Sequence, residues 1–266
     1  MFKSVKKVAL AAATLVGMAG GAQAGVLLQI ADLNPGTFAV QSIKSCDTRL
    51  AQGVGAGTNC AVADGWLNYS LGGTTLIFTG SVGNFSVSTT SGTSNIPGTP
   101  TFSFLDTSST SVKNTSADGT GTDLMYINFV GFNFFFPDGG TKTMFGTASH
   151  SGTVNGSNPA AQSVDTFFYA DPTNAGLGAG AAVDSCLMAL TTNGSCNTGD
   201  PVIWNDVPGT SFSLRSQQFF RLNGQTQTNA TTSLIVRPNP EPMTLALVSA
   251  ALLGAGLASR RRSQRG

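Results

Sequence analysis

The chain has 266 residues, of which 10% are charged, and a formal net charge of +1. An ordinary globular protein carries about 25% charged residues. Here Gly, Ser, Thr, Asn and Ala take their place, which suits short strands joined by many turns. The charge is also unevenly placed: Lys3, Lys6 and Lys7 open the chain, Arg260, Arg261, Arg262 and Arg265 close it, and residues 25–240 hold seven Lys/Arg against twelve Asp. A mildly acidic middle with no basic stripe argues against a nucleic-acid partner.

The first 24 residues have the three parts of a secretory leader. Met1–Lys7 is basic, Val8–Gly21 is apolar and rich in Ala, and Ala22-Gln23-Ala24 is an A-x-A site. Signal peptidase is therefore expected to cut after Ala24, making Gly25 the first mature residue.

Residues 25–238 then read as one all-β domain. Val26–Ile30 is short and apolar, Trp66–Leu71 and Phe85–Thr89 alternate, and Thr74–Gly80 is β-branched. Period-2 patterns of this kind describe strands with one buried face. Gly72-Gly73 and Val82-Gly83-Asn84 supply turns between them. Thr90–Pro100 reads as a loop. Thr101–Leu105 is expected to pair with Ser109–Asn114. Asp123–Phe136, the most apolar stretch, is expected to form a core hairpin with an edge-like Thr141–Ser149, and Gly131 to mark a bulge. Ala179–Leu190 is the sole helix candidate. Gln162–Tyr169, Val202–Trp204, Ser211–Leu214, Gln217–Leu222 and Thr231–Val236 complete the expected strands. Ten to thirteen short strands without an internal repeat point to an antiparallel β-sandwich or jelly roll.

Cys46, Cys60, Cys186 and Cys196 are the four cysteines. An even count in an exported chain reads as disulfides. Of the three connectivities, the local pairs Cys46–Cys60 and Cys186–Cys196 need the shortest loops, and both are expected to be surface-loop staples. Neither pair has zinc-site spacing.

The last 28 residues, 239–266, form a tail. Asn239-Pro240-Glu241-Pro242 leads into the uncharged segment Met243–Ser259, followed at once by Arg260, Arg261 and Arg262. A 17-residue helix over 243–259 would reach about 25 Å against a hydrocarbon core of about 30 Å, a short but usable span. The positive-inside bias keeps the arginines cytoplasmic and the domain outside.

The Pro240-Glu241-Pro242 triplet, the apolar stretch and the terminal arginines resemble, in order and spacing, the PEP-CTERM sorting signal of Gram-negative bacteria. The resemblance implies recognition at Pro240, Glu241 and Pro242 by an exosortase, a membrane peptidase-transferase that would cleave nearby. It also implies an inner-membrane-anchored intermediate, then delivery to the cell surface or extracellular matrix. Gly80–Val87 resembles a stretch in a group of PEP-CTERM ectodomains and implies no activity. The physics suits such a handle, because Pro240 and Pro242 hold the chain extended and Glu241 adds one charge.

Catalytic patterns are sparse. His150 is the sole histidine and Glu241 the sole glutamate. A Ser-His-Asp set would have to use His150, which reads instead as an exposed turn residue, and no G-x-S-x-G elbow is present. Paired carboxylates would have to come from Asp residues that sit mostly beside turn formers. No cofactor is expected. Asp118–Asp123 and Asp171–Asn174 offer oxygens that allow a structural calcium, with turn formation as the default. Trp66, Tyr69, Tyr126, Tyr169 and Trp204 are the rings able to line a sugar-binding face, although such rings more often pack in sheets. The reading is a non-catalytic surface or matrix protein of structural or adhesive role, with exopolysaccharide as a candidate partner. A carbohydrate-binding module and a secreted hydrolase are the alternatives.

Overall fold

In the computed structural model the described residues are 24–51, 60–99, 102–117, 122–135, 142–153, 162–176, 182–191, 193–202, 211–238, 248, 251 and 252. They form β1 (Gly25–Leu33), β2 (Val40–Asp47), a 3-10 turn (Val62–Asp64), β3 (Trp66–Leu67), β4 (Thr75–Val82), β5 (Phe85–Ser94) and β6 (Ser103–Asn114). Then come β7 (Thr122–Phe135), β8 (Lys142–Thr153), β9 (Ser163–Asp171), β10 (Ala182–Ala189), β11 (Gly194–Val202), β12 (Ser211–Asn223) and β13 (Gln227–Pro238).

The strands make two antiparallel sheets, a β-sandwich. One has the order β10-β9-β12-β7-β1-β2 and the other β11-β8-β13-β6-β5-β4-β3. Strand alternation explains the layering. On β1, Val26, Leu28 and Ile30 enter the main core, while Leu27, Gln29 and Ala31 face the other way. The sheets interdigitate through large-on-small contacts. A Cβ on Gly92 of β5 would lie 2.5 Å from the Phe129 ring of β7, and one on Gly146 of β8 would lie 2.3 Å from Phe168 of β9. Each glycine therefore leaves room for a ring from the opposite sheet.

The two disulfides, Cys46–Cys60 and Cys186–Cys196, are not staples within surface loops. Cys186 lies on β10 and Cys196 on β11, the edge strands of the two sheets. Cys46 lies on edge strand β2, and Cys60 just precedes the turn into edge strand β3. Each bridge therefore ties the sheets together at one open side of the sandwich. Cys46, Cys60 and Cys186 are buried in the main core.

Several local expectations are corrected. Ala182–Ala189 is a strand, not a helix, because Cys186 and Met188 point into the core while Val183 and Leu187 stay exposed. Thr90–Ser94 continues β5, with Thr90 and Ser94 buried, and only Asn95–Thr99 turns. Residues 103–114 form one strand rather than a pair. Likewise 211–223 is the single strand β12. β7 and β8 belong to different sheets, so no core hairpin joins them, and β8 lies between β11 and β13 rather than at an edge. A bulge does fall beside Gly131: Phe212 and Leu214 face Phe134 and Gly131, and Asn133 has φ 63°.

Residues 1–23, Pro240, Glu241, Pro242, Arg260, Arg261 and Arg262 lie outside the described residues, as does most of the expected span 243–259. Among the described residues no helix is long and apolar enough to cross a membrane.

Candidate functional site

The outer face of the six-stranded sheet is unlike an ordinary solvated face. Its middle row, read by strand register, runs Ser45, Gln29, Asn128, Gln217, Phe167, Ser185. The row on one side runs Asp47, Leu27, Val130, Arg215, Tyr169, Val183, and the row on the other Ile43, Ala31, Tyr126, Phe219, Asp165, Leu187. Gln29, Asn128, Arg215, Gln217, Tyr126 and Tyr169 are all buried, whereas Ile43, Val183 and Leu187 at the margins are exposed.

Buried polar groups must bond to one another, and these do. The Arg215 Nε donates to Asn128 Oδ1 at 2.7 Å, and its Nη2 donates to Tyr126 Oη at 2.8 Å. Asn128 Nδ2 donates to Gln29 Oε1 at 2.9 Å. The Gln217 amide lies 2.9 Å from Tyr126 Oη. Turned so that its oxygen accepts from Arg215, the same amide donates its nitrogen to Tyr169 Oη at 3.3 Å. That orientation suits the chemistry, since a guanidinium has donors only. The Arg215 guanidinium also stands 5.8 Å from the Tyr169 ring centre, within cation–π range.

Rings surround the network. Tyr126 packs on Phe219 at 4.9 Å, and Phe219 meets Phe167 edge-on at 5.8 Å. Phe38, from the turn between β1 and β2, packs against the same cluster, and Arg221 lies 5.7 Å from its ring centre. On the opposite flank Arg49 covers the Phe132 ring at 3.5 Å. Burial pushes both tyrosines up, against the opposing pull of Arg215, and Tyr169 reaches about 12. Both hydroxyls are therefore neutral donors at physiological pH.

Of the rings expected to mark a sugar face, only Tyr126 and Tyr169 come together here. Trp66 is in the main core, 5.0 Å from Phe78. The Tyr69 hydroxyl donates to the Leu50 carbonyl at 2.7 Å, away from this face. Trp204 lies outside the described residues. Gln29, Asn128, Arg215 and Gln217 went unread in the sequence because polar residues at alternate positions mimic a solvated face. The available signal was their placement inside long, nearly uncharged strands.

The outer face of the seven-stranded sheet differs. Ser91, Thr93, Asp106, Ser108, Thr147, Thr231 and Ser233 line a shallow groove there. The groove offers hydroxyls and one carboxylate, and beside it on the same face Arg237 stands 4.3 Å from the Phe145 ring centre while Phe102 stacks on Phe104 at 6.1 Å.

The remaining candidate groups resolve into structural roles. His150 is a buried strand residue rather than an exposed turn residue, and neither ring nitrogen has a hydrogen-bond partner. Gly194, opposite it on β11, gives it room: a Cβ there would lie 2.6 Å from Nε2. Burial lowers its pKa. Without an acid or hydroxyl partner it has no triad to serve. Asp171 accepts from the Thr173 N–H and hydroxyl and the Ala175 N–H, which is turn formation. Asp123 accepts from Asn84 and Asn114, while Asp118 lies outside the described residues. Among the described residues no three His, Cys, Asp or Glu side chains gather as a metal site.

No family model and no curated protein matches the chain. Solved structures do. TmCBM61 in complex with β-1,4-galactotriose is 8% identical, with 55% of this chain and 86% of that one covered and a TM-score of 0.27. A family 11 carbohydrate-binding module from Clostridium thermocellum, in complex with a mixed-linked tetrasaccharide, is 16% identical over 63% and 91%, with a TM-score of 0.27. A structure of carbohydrate-binding modules from the β-sandwich superfamily is 13% identical over 78% and 72%, with a TM-score of 0.29. Scores this low leave function to be argued from the chain's own residues.

Proposed function

We propose that the chain is an exported, non-catalytic carbohydrate-binding protein of the cell surface or extracellular matrix. The observation that carries this reading is the outer face of the six-stranded sheet. Amide and guanidinium donors and two neutral tyrosines form a buried polar layer there, and the partly buried Phe38 and Phe167 rings pack beside it. Sugars are bound by this combination, because rings pack on apolar C–H faces while fixed donors and acceptors choose the hydroxyls. A structural or adhesive role follows from the same activity, with matrix exopolysaccharide as the ligand.

Two disulfides belong to an oxidising compartment, in agreement with export through the leader ending at Ala24. Sorting through Pro240, Glu241 and Pro242 by an exosortase-type enzyme belongs to the same proposal. It rests on the sequence of the tail. Replacing these three residues with alanine is expected to leave a full-length membrane-bound form, and unchanged processing would remove the sorting step.

Glycan binding is tested by screening the purified protein against an oligosaccharide array, with Tyr169→Ala beside it. Aromatic anchors are worth about 2 kcal/mol or more in many interfaces, so a loss of about thirtyfold is expected. Because Tyr169 is buried, its truncation also lowers thermal stability, and binding is compared below the melting temperature of the variant. A protein that binds no glycan, or a Tyr169→Ala variant that binds equally well, would contradict the assignment.

A further inference from the structure

Three arginines stand on the outer face of the six-stranded sheet, and two have carboxylates. Arg49 is paired with Asp47 at 2.6 Å, and Arg221 lies 4.0 Å from Asp165. Arg215 is the most deeply buried of the three, 2% exposed, and no carboxylate pairs with it among the described residues. Asp171, the next outward carboxylate on the neighbouring strand, gives its oxygens to the 173–175 turn.

A buried cation without a counter-ion is costly, and neutral groups hold this one only in part. Its Nε and Nη2 have acceptors, whereas Nη1 has no protein partner among the described residues. The Tyr169 hydroxyl accepts from Gln217, which leaves its own proton to give. The open positions are therefore donors, two N–H from Nη1 and one O–H, beside a positive charge. A neutral sugar hydroxyl uses one such donor. A carboxylate uses two in parallel and cancels the charge, the geometry for which guanidinium is best suited.

We propose that Arg215, with Tyr169 beside it, binds the carboxylate of a uronate residue, so that the ligand is an acidic polysaccharide. The inference rests on the glycan-binding reading and narrows it. Tyr126, Asn128 and Gln217 act as positioning residues that hold the guanidinium in its plane.

The test is calorimetric titration of the full-length protein with a panel of galacturonate, glucuronate and mannuronate oligosaccharides. Matched oligosaccharides with carboxyls reduced to alcohols are run beside them. At least one acidic ligand is expected to bind, with its reduced counterpart about tenfold weaker or more, since hydrogen bonds to charged groups are worth about 1.5–3 kcal/mol. Arg215→Gln should remove that difference. Because Arg215 is buried and its loss can unfold the sheet, Tyr169→Phe provides a milder variant. It keeps the ring, loses one donor, and should weaken the acidic ligand about three- to tenfold and the reduced one by less, since a hydrogen bond to a charged acceptor is worth more than one to a neutral hydroxyl. Equal binding of acidic and reduced ligands would overturn the uronate assignment and leave glycan binding intact. Binding of neither would overturn both.

Discussion

Breaking either disulfide should loosen one side of the sandwich and leave the other closed. The perturbation is the double substitution Cys186→Ser with Cys196→Ser, or Cys46→Ser with Cys60→Ser. The bridged residues are 10 and 14 positions apart. Loop-closure entropy then assigns about 3 kcal/mol to each bridge through the unfolded chain. For a domain of this size each kcal/mol moves Tm by about 2–4 °C, so each double variant should melt about 6–12 °C lower. Loss of Cys186–Cys196 should also raise hydrogen exchange in β10 and β11 while sparing β2 and β3, because the bridge joins the edge strands of the two sheets. Circular dichroism melts with peptide-resolved exchange read both effects. A drop below about 2 °C, or exchange rising evenly over all strands, would refute the clamping argument.

Gly92→Ala should destabilise by about 1–3 kcal/mol, the usual range for overpacking, since the added methyl meets the Phe129 ring; chemical denaturation measures it. His150 should give an acid-sensitive component of stability. Its folded pKa is lowered from 6.5 by burial, so the unfolded chain takes up a proton that the folded one resists, and stability falls as pH drops below about 6.5. Subtracting the melting profile of His150→Leu isolates that limb, and a flat difference between pH 7.5 and 5 would contradict it. Asp32 behaves in the opposite sense. Burial raises its pKa and Asp123 adds repulsion, so the carboxylate favours folding least once ionised. Asp32→Asn, which keeps an oxygen for the Asn84 N–H, should therefore match or exceed the parent's stability at pH 7 in denaturant titrations.

The all-β class is legible because β5 alternates apolar and small polar residues, β4 is β-branched and β1 is a short apolar run, and the sandwich follows from the number of such runs. β10 does not read as a strand because Ala182, Val183, Leu187 and Met188 are spread without strict alternation, and its inward side is held by the Cys186 disulfide beside a single large apolar residue, Met188. β6 was split because Asp106, Ser108 and Ser111 resemble turn formers, although the strand only needs Leu105, Thr107, Ser109 and Val112 inside. The pairing of β7 with β1 and β12 is non-local, and a local hairpin is what sequence proximity suggests. The site was half visible. Tyr126 and Tyr169 stand out as rings, but Arg215 falls in the gap between two expected strands that are one. Its burial depends on which residues flank it across the sheet, and register is not written in any single strand.

Hydrogen exchange footprinting of the protein with a bound oligosaccharide tests the central claim most directly. Protection confined to β1, β7, β9 and β12, around Gln29, Asn128, Tyr169 and Arg215, is the predicted result. Protection on β5, β6, β8 and β13 instead would place the ligand on the serine- and threonine-lined groove of the opposite sheet and contradict the account.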